Sequence, residues 1–226
     1  MATHQEIAGV SDEDLVNRMI SSHTDRFDDV FWTFFQEQVE PNLTDPPIMV
    51  DLGCGPGLLL RDLRQRCANA ILHGIDVTKA MIDYANNKVE YQGEKPQYSI
   101  LDVANDDLPF SAESVDLVSM VAVMHVLSEP LPVLEKIQKV LKPGGVFLLQ
   151  DWIRTSLPQY LERMAGNVPP EQMEATRSAM FKLFPSHNKY TTDDWLWVLE
   201  QGGFRVVEHK QLRSPHFCTF VCTSKG

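Results

Sequence analysis

The sequence predicts an α/β fold: a mostly parallel sheet of seven strands with helices on both faces. Three observations carry this. Between residues 48 and 151, short apolar runs alternate with helical segments, the pattern of strands joined by crossover helices. The fifth run is entered through Leu141-Lys142-Pro143-Gly144-Gly145, a helix stop followed by a tight turn. The chain then closes with two apolar runs separated at Ser214-Pro215, which reads as an antiparallel hairpin.

In chain order, Ser11-Asp12-Glu13-Asp14 is a helix start, with Ser11 as N-cap and acids at the positive helix end. Leu15, Val16, Met19 and Ile20 follow as one apolar face. A second helix is expected from Thr24 to Glu40, because Phe27, Val30, Phe31, Phe34 and Phe35 recur at helical spacing and Pro41 ends it. Strands are expected at Ile48–Leu52, Ala70–Ile75, Gln97–Leu101, Val115–Val121 and Val146–Asp151. Helices between them are expected at Leu58–Cys67, Lys79–Tyr91 and Pro132–Leu141. Residues 152–190 break the rhythm, with weaker helical stretches at Leu157–Met164 and Glu171–Phe184 around Val168-Pro169-Pro170. Regularity returns with a helix at Thr192–Gln201, then strands at Phe204–Leu212 and His216–Thr223. One domain is expected: a helical lid at 1–45, a ligand-binding core at 46–151, a helical insertion at 152–190, and a C-terminal helix and hairpin at 191–226.

Composition narrows the function. A chain of 226 residues buries enough surface to fold without disulfides or a structural metal. The 31 acids outnumber the 20 Lys and Arg, for a net charge of −11, and no basic cluster stands out. A nucleic-acid partner would need a basic face, so a small-molecule acceptor is expected and no nucleic acid. Cys54, Cys67, Cys218 and Cys222 form no metal pattern. Cys218 and Cys222, four apart on a strand, would lie about 13 Å apart, too far to pair. Free thiols, residues 1–20 without an apolar core and no run of membrane-spanning length point to a cytoplasmic protein.

The chemistry begins at Val50-Asp51-Leu52-Gly53-Cys54-Gly55-Pro56-Gly57, a strand ending in a glycine turn that opens a helix. Glycines permit positive φ and close approach of backbone to ligand. Such a turn also serves dinucleotides, but their fingerprint wants glycine at position 58, where this chain has Leu58. Asp51 would carry the wrong charge beside a pyrophosphate, whereas a ligand with an ammonium and a sulfonium favours a carboxylate. Asp76 ends the second strand where a ribose diol would be chelated. Asp102 ends the third run; its carboxylate is placed to accept from an adenine amine, with the Val103 N–H on a ring nitrogen and Val77 and Met81 against the base.

These residues resemble a class I S-adenosylmethionine-dependent methyltransferase of the small-molecule group, similar to ubiquinone- and menaquinone-biosynthesis enzymes. The likeness rests on Asp51–Gly57, Gly74-Ile75-Asp76, Asp102 with Leu108-Pro109-Phe110, and Leu141–Gly145, in that order and spacing. It covers residues 48–151 closely and 191–223 more loosely. The resemblance implies a Rossmann-like seven-stranded sheet with its last strand antiparallel. It implies S-adenosylmethionine as cofactor and S-adenosylhomocysteine as product, with Gly53, Cys54 and Gly55 in the turn along the methionine portion. Asp76 would bind the ribose, Asp102 and Val103 would frame adenine, and Val121 would face the methionyl part through its backbone.

Methyl transfer is an in-line displacement, so much of the protein's work is alignment, and a base matters only when the acceptor loses a proton. His125, just past the fourth strand, is the candidate base. Trp152, Arg154, Tyr160 and Phe184 are candidates for the acceptor pocket. No Asn/Asp-Pro-Pro-aromatic run follows the fourth strand, where Ser119-Met120-Val121-Ala122 stands, which argues against methylation of base amines. No Asp, Asn and His set suggests a metal. The expected activity is transfer of a methyl group to O, N or C of a small acceptor. The alternative is a regulator or cyclase that binds the cofactor without methyl transfer.

Overall fold

The computed structural model describes residues 11–165, 169, 171, 173–212 and 214–225. The first ten residues of the expected lid therefore lie outside the described part, as do 166–168, 170 and 172 of the insertion and 213 of the hairpin. Seven strands form one sheet in the order β3-β2-β1-β4-β5-β7-β6. They are β1 Ile48–Leu52, β2 Ile71–Asp76, β3 Gln97–Ile100, β4 Val115–Val121, β5 Leu141–Trp152, β6 Phe204–Lys210 and β7 Phe217–Ser224. Pairing is parallel from β3 through β5, and β7 runs antiparallel to both β5 and β6. The Rossmann-like sheet with a closing antiparallel hairpin is thus present.

Nine α-helices are described: α1 Asp12–Ser21, α2 His23–Arg26, α3 Asp29–Gln38, α4 Leu58–Arg66, α5 Lys79–Asn87, α6 Leu131–Val140, α7 Leu157–Ala165, α8 Met173–His187 and α9 Thr192–Gln201. Side chains alternate across the strands as period two requires. On one face Val50, Val118, Met120, Phe147 and Leu149 meet Leu134 and Ile137 of α6 and Trp195 and Leu199 of α9. On the other, Met49, Leu117, Val146 and Leu148 meet Phe31 and Phe35 of α3 and Leu60 and Leu63 of α4. A third cluster sits at the carboxyl end of β5, where Trp152 and Phe217 meet Tyr160, Met180 and Leu183.

Three expectations on element bounds need correction. The helix expected over Thr24 to Glu40 is two helices and a 3-10 turn, because Asp28 caps a fresh start: its Oδ1 accepts from the Phe31 N–H at 2.9 Å. The helix expected to reach Tyr91 ends at Asn87, and Tyr91 turns back so that its hydroxyl bonds that of Tyr98. Leu141–Gly145 is not a turn ahead of the fifth strand but its first residues. A register shift against β4 between Val115 and Leu117 and a positive φ at Gly144 absorb the irregularity.

Candidate active site

The glycine turn is held to the sheet from two sides. The N–H groups of Gly53 and Cys54 both donate to the Ile75 carbonyl, at 2.7 and 3.0 Å, and the Gly55 N–H donates to Asp76 Oδ2 at 2.9 Å. Gly53 and Gly55 serve different ends within this turn. A Cβ on Gly53 would come within 2.3 Å of Val123 Cγ2, so that glycine permits close packing. A Cβ on Gly55 would meet no atom within 4 Å and would project into open space beside the turn. Both take positive φ.

All ten residues expected to bind cofactor line one cavity beyond the carboxyl ends of the strands: Asp51, Gly53, Cys54, Gly55, Asp76, Val77, Met81, Asp102, Val103 and Val121. Asp51 is buried at 3% exposure and accepts from Ser119 Oγ at 2.7 Å. Burial pushes its carboxyl up to about 7; the Ser119 bond opposes the rise and the charge of Asp76 adds to it. A cation delivered beside Asp51 reverses that imbalance. Asp76 accepts from backbone at each oxygen, from Gly55 N–H and from Thr78 N–H at 2.8 Å. A carboxylate oxygen can accept more than once, so a carboxylate oriented in this way suits the two hydroxyls of a diol. Asp102 organises its own loop, accepting from the Ala104 N–H and from Asn105 Nδ2.

Sequence reasoning missed what holds that loop. Lys136 of α6 donates through Nζ to the carbonyls of Val103, Ala104 and Asp106, at 3.1, 3.1 and 2.7 Å. It lies about thirty residues away in a plain amphipathic helix, and no local signal marks it. The wall opposite the sheet comes from the N-terminal helices, where a lid was expected over 1–45, but none of the side chains that line the cavity there, Leu15, Met19, His23, Arg26 and Phe27, was singled out. Their apolar spacing identified helices, yet it did not say which residues would face a ligand.

His125, Trp152, Tyr160 and Phe184 do not line this cavity; they gather in the adjoining third cluster, and Ala122 is common to both. His125 is 3% exposed, with Nδ1 2.7 Å from Asp151 Oδ1 and its backbone N–H donating to Asp151 Oδ2. With Nδ1 held against Asp151, Nε2 is the ring nitrogen left without a protein partner. That Nε2 is buried with no hydrogen-bond partner among the described residues. Edge to face with the His125 ring is His187, 5.2 Å away between ring centroids, stacked on Trp152 at 4.0 Å with Nδ1 2.8 Å from the Tyr160 hydroxyl. Burial first, and then the neighbouring His125, hold the His187 imidazole down to about 3, so it is neutral. Arg154 points elsewhere: its guanidinium donates to the carbonyls of Asn188 and Lys189, which fixes the loop after α8.

Among the described residues no group of His, Cys, Asp and Glu is placed to hold a metal, and no helix is long and apolar enough to cross a membrane. The parallel sheet, the glycine turn and the acids at successive strand ends define a protein that binds a nucleoside-bearing cofactor at the topological switch of an α/β fold. Residues 50–149 match the methyltransferase domain family. The tRNA 5-carboxymethoxyuridine methyltransferase of Escherichia coli O157:H7 is 28% identical over 176 residues, which cover 74% of this chain and 66% of that protein. The carboxy-S-adenosyl-L-methionine synthase of Nautilia profundicola is 25% identical over 96% of this chain and 92% of its own. A SAM-dependent methyltransferase structure from Aquifex aeolicus superposes with a TM-score of 0.66 at 20% identity, covering 94% of this chain and 98% of that one. The plantazolicin methyltransferase BpumL, solved with S-adenosylhomocysteine, gives 0.66 at 17% over 95% and 92%; these two likenesses speak for the fold. Residues 50–149 thus carry the match to the methyltransferase domain family, and the chain is similar to the class I S-adenosylmethionine-dependent methyltransferases.

Proposed function

We propose that the chain moves a methyl group from S-adenosylmethionine to a small, partly apolar acceptor. The observation that carries this is the convergence of ten residues, drawn from four strand ends and the segments after them, on one cavity, with Asp51 and Asp76 on either side of the glycine turn. The open space beside Gly55, the two oxygens of Asp76 and the uncompensated Asp51 fit a ligand with a diol and a cationic amino acid portion. When bound, the cofactor supplies a methyl group already activated by a positive sulfur. In this reading Gly53, Cys54, Gly55 and Val121 follow the methionyl part, and Asp102, Val103, Val77 and Met81 enclose the base.

The acceptor pocket is then the compartment of Trp152, Tyr160 and Phe184, reached past Ala122, with Arg154 holding the loop that backs it. His125 Nε2 takes the acceptor's proton, and Asp151 keeps the ring in the tautomer and orientation that make this nitrogen basic. Burial of both groups keeps water from the transfer. A net charge of −11 supports a small acceptor over a nucleic acid. The test is calorimetry followed by turnover. S-adenosylhomocysteine should bind, and a panel of small hydroxyl, amine and carboxyl acceptors should yield it from S-adenosylmethionine. His125→Gln should lower kcat at least about a hundredfold with the cofactor affinity unchanged; a normal rate would return His125 to a structural role. A second reading, in which the cofactor is itself the substrate, is favoured by the synthase relative that spans 96% of the chain. Tight binding without S-adenosylhomocysteine formation across the panel would select it.

A further inference from the structure

The nitrogen assigned to the acceptor's proton is closed to solvent. His125 Nε2 is buried without a hydrogen-bond partner among the described residues, and His125 does not line the cavity at the strand ends. Its compartment is built from two parts of the chain. The floor is sheet: Trp152 and Phe217 lie directly opposite each other where β5 pairs with β7, and β5 is also paired with β4. The cover is α7 and α8, which bring Tyr160, Met180 and Leu183, with the His187 ring laid on Trp152. A strand paired on both sides opens only at close to the cost of global unfolding, so an acceptor enters when the helices move.

The helices are built to move. α8 runs for fifteen residues and buries Met180, Leu183 and His187, whereas α9 buries Trp195, Val198 and Leu199 within ten. The hydrogen bonds described for residues 157–186 stay within the two helices or reach Ser156 and Asn188 at their feet. Those feet are clasped together. The Arg154 N–H donates to the Tyr190 carbonyl at 2.6 Å, its guanidinium to the Asn188 and Lys189 carbonyls, and the Thr155 N–H to Asn188 Oδ1 at 2.8 Å. Lys189 Nζ then donates to the Leu127 carbonyl at 2.8 Å, beside the turn that carries His125. The clasp therefore ties the segment after α8 to the turn of the base, and the two helices extend from adjacent joints. We infer that α7 and α8 form a flap that swings as one body from Ser156 and Asn188, opens the way to His125 for the acceptor, and closes to exclude water during transfer.

This inference rests on the reading of His125 as the base, and the experiment separates the two. The full chain, saturated with S-adenosylhomocysteine and carrying Met180→Cys or Leu183→Cys, is labelled with iodoacetamide and read by peptide mass. Cys222, buried in the core with α6 and α9, reacts in the same sample through global unfolding and sets the reference. Both introduced thiols should react at least about a hundredfold faster than Cys222, at rates within about twofold of each other. Rates equal to the reference overturn the flap. So does fast labelling at Leu183→Cys with slow labelling at Met180→Cys, the mark of α8 fraying from its end near Pro185. Arg154→Met, which loosens the clasp, should raise both rates at least about tenfold with the affinity for S-adenosylhomocysteine unchanged; unchanged rates overturn the pivot. The wild type gives a reading that needs no new cysteine. Diethyl pyrocarbonate should carbethoxylate His125 faster than iodoacetamide reaches Cys222, and faster still in Arg154→Met. An untouched His125 overturns entry by this route. A normal methylation rate in His125→Gln would instead overturn the base and leave the motion of the flap standing.

Discussion

Asp116 and Asp51 are carboxylates of the same sheet, 1% and 3% exposed, and they are treated in opposite ways. Asp116 sits where the strands begin. It accepts from the Ile48 N–H at 2.8 Å, from Thr44 Oγ1 at 2.6 Å and from Lys142 Nζ at 2.7 Å. Burial would raise its pKa, but these bonds outweigh burial and hold it below the usual carboxylate range. Asp51 sits where β1 ends and has one hydroxyl for a partner, and burial carries it up to about 7. Both are expensive to desolvate, and only Asp116 is compensated by the protein itself. The starting edge of the sheet is built for stability. The finishing edge is left incomplete, and a cationic ligand completes it.

The comparison is broken most directly at Asp51. Its folded pKa is raised to about 7 above an unfolded value near 3.9, so it lowers the stability of the cofactor-free fold as pH rises between those values. Asp51→Asn should therefore stabilise the cofactor-free protein at pH 8, by up to about 4 kcal/mol, with the gain vanishing toward pH 4. Urea unfolding at several pH values reads this. The same substitution should weaken S-adenosylmethionine binding. In the wild type, affinity should rise roughly tenfold between pH 5.5 and 7 as Asp51 ionises, a dependence the variant loses. A pH-independent wild type would remove Asp51 from contact with the ligand's charge.

At the other edge the signs reverse. Asp116→Ala should destabilise the fold by about 3 kcal/mol, because the Ile48 N–H, the Thr44 N–H and hydroxyl, and Lys142 lose their acceptor together. The wild type should lose that contribution as pH falls below about 4, through the lowered pKa of Asp116. Cofactor affinity should not change. If Asp116→Ala weakened S-adenosylhomocysteine as much as it weakened the fold, the two edges would not be separable.

Asp76 is intermediate, since it bonds both the turn and the ligand. Asp76→Ala should weaken S-adenosylhomocysteine by about 1.5–3 kcal/mol, with a smaller loss of stability from the freed Gly55 and Thr78 N–H groups. Asp76→Asn, which keeps one acceptor, should lie between. Equal affinity in all three would take Asp76 out of the site.

The finishing edge is the part legible in the sequence, because its residues follow strand ends in the order of the chain. Asp51, Asp76 and Asp102 can be placed from the amino-acid pattern alone, since a strand's apolar run ends visibly and the residue that closes it must face the crevice. The closing hairpin follows from the same alternation of runs and turns. What escapes is what depends on contacts between distant segments. Asp28 as a second helix start is hidden inside an unbroken aromatic periodicity running from Phe27 to Phe35. Arg26, one residue ahead of that run, carries no pattern that says it faces a cavity. The Asp151 to His125 bond spans 26 residues, and the neutral His187 that packs against it comes from an irregular segment.

The smallest effect tests whether the same division extends to the lysines. Lys142 meets a carboxylate, Asp116, and belongs to the edge built for stability. Lys136 meets three carbonyls and no acid among its described bonds, in the loop that presents Asp102 and Val103. Lys136→Met keeps an apolar stem on α6 and removes the three bonds, so global stability should fall by less than about 1 kcal/mol. The loop would then have to be ordered by the ligand. S-adenosylhomocysteine should bind about fivefold more weakly, with the loss appearing as entropy in calorimetry and as faster amide exchange at residues 102–106 in the free protein. Lys142→Met should do the reverse, lowering stability and leaving cofactor affinity alone. If the two lysines exchanged these effects, charge matching would not be what separates the structural edge of this sheet from its working edge.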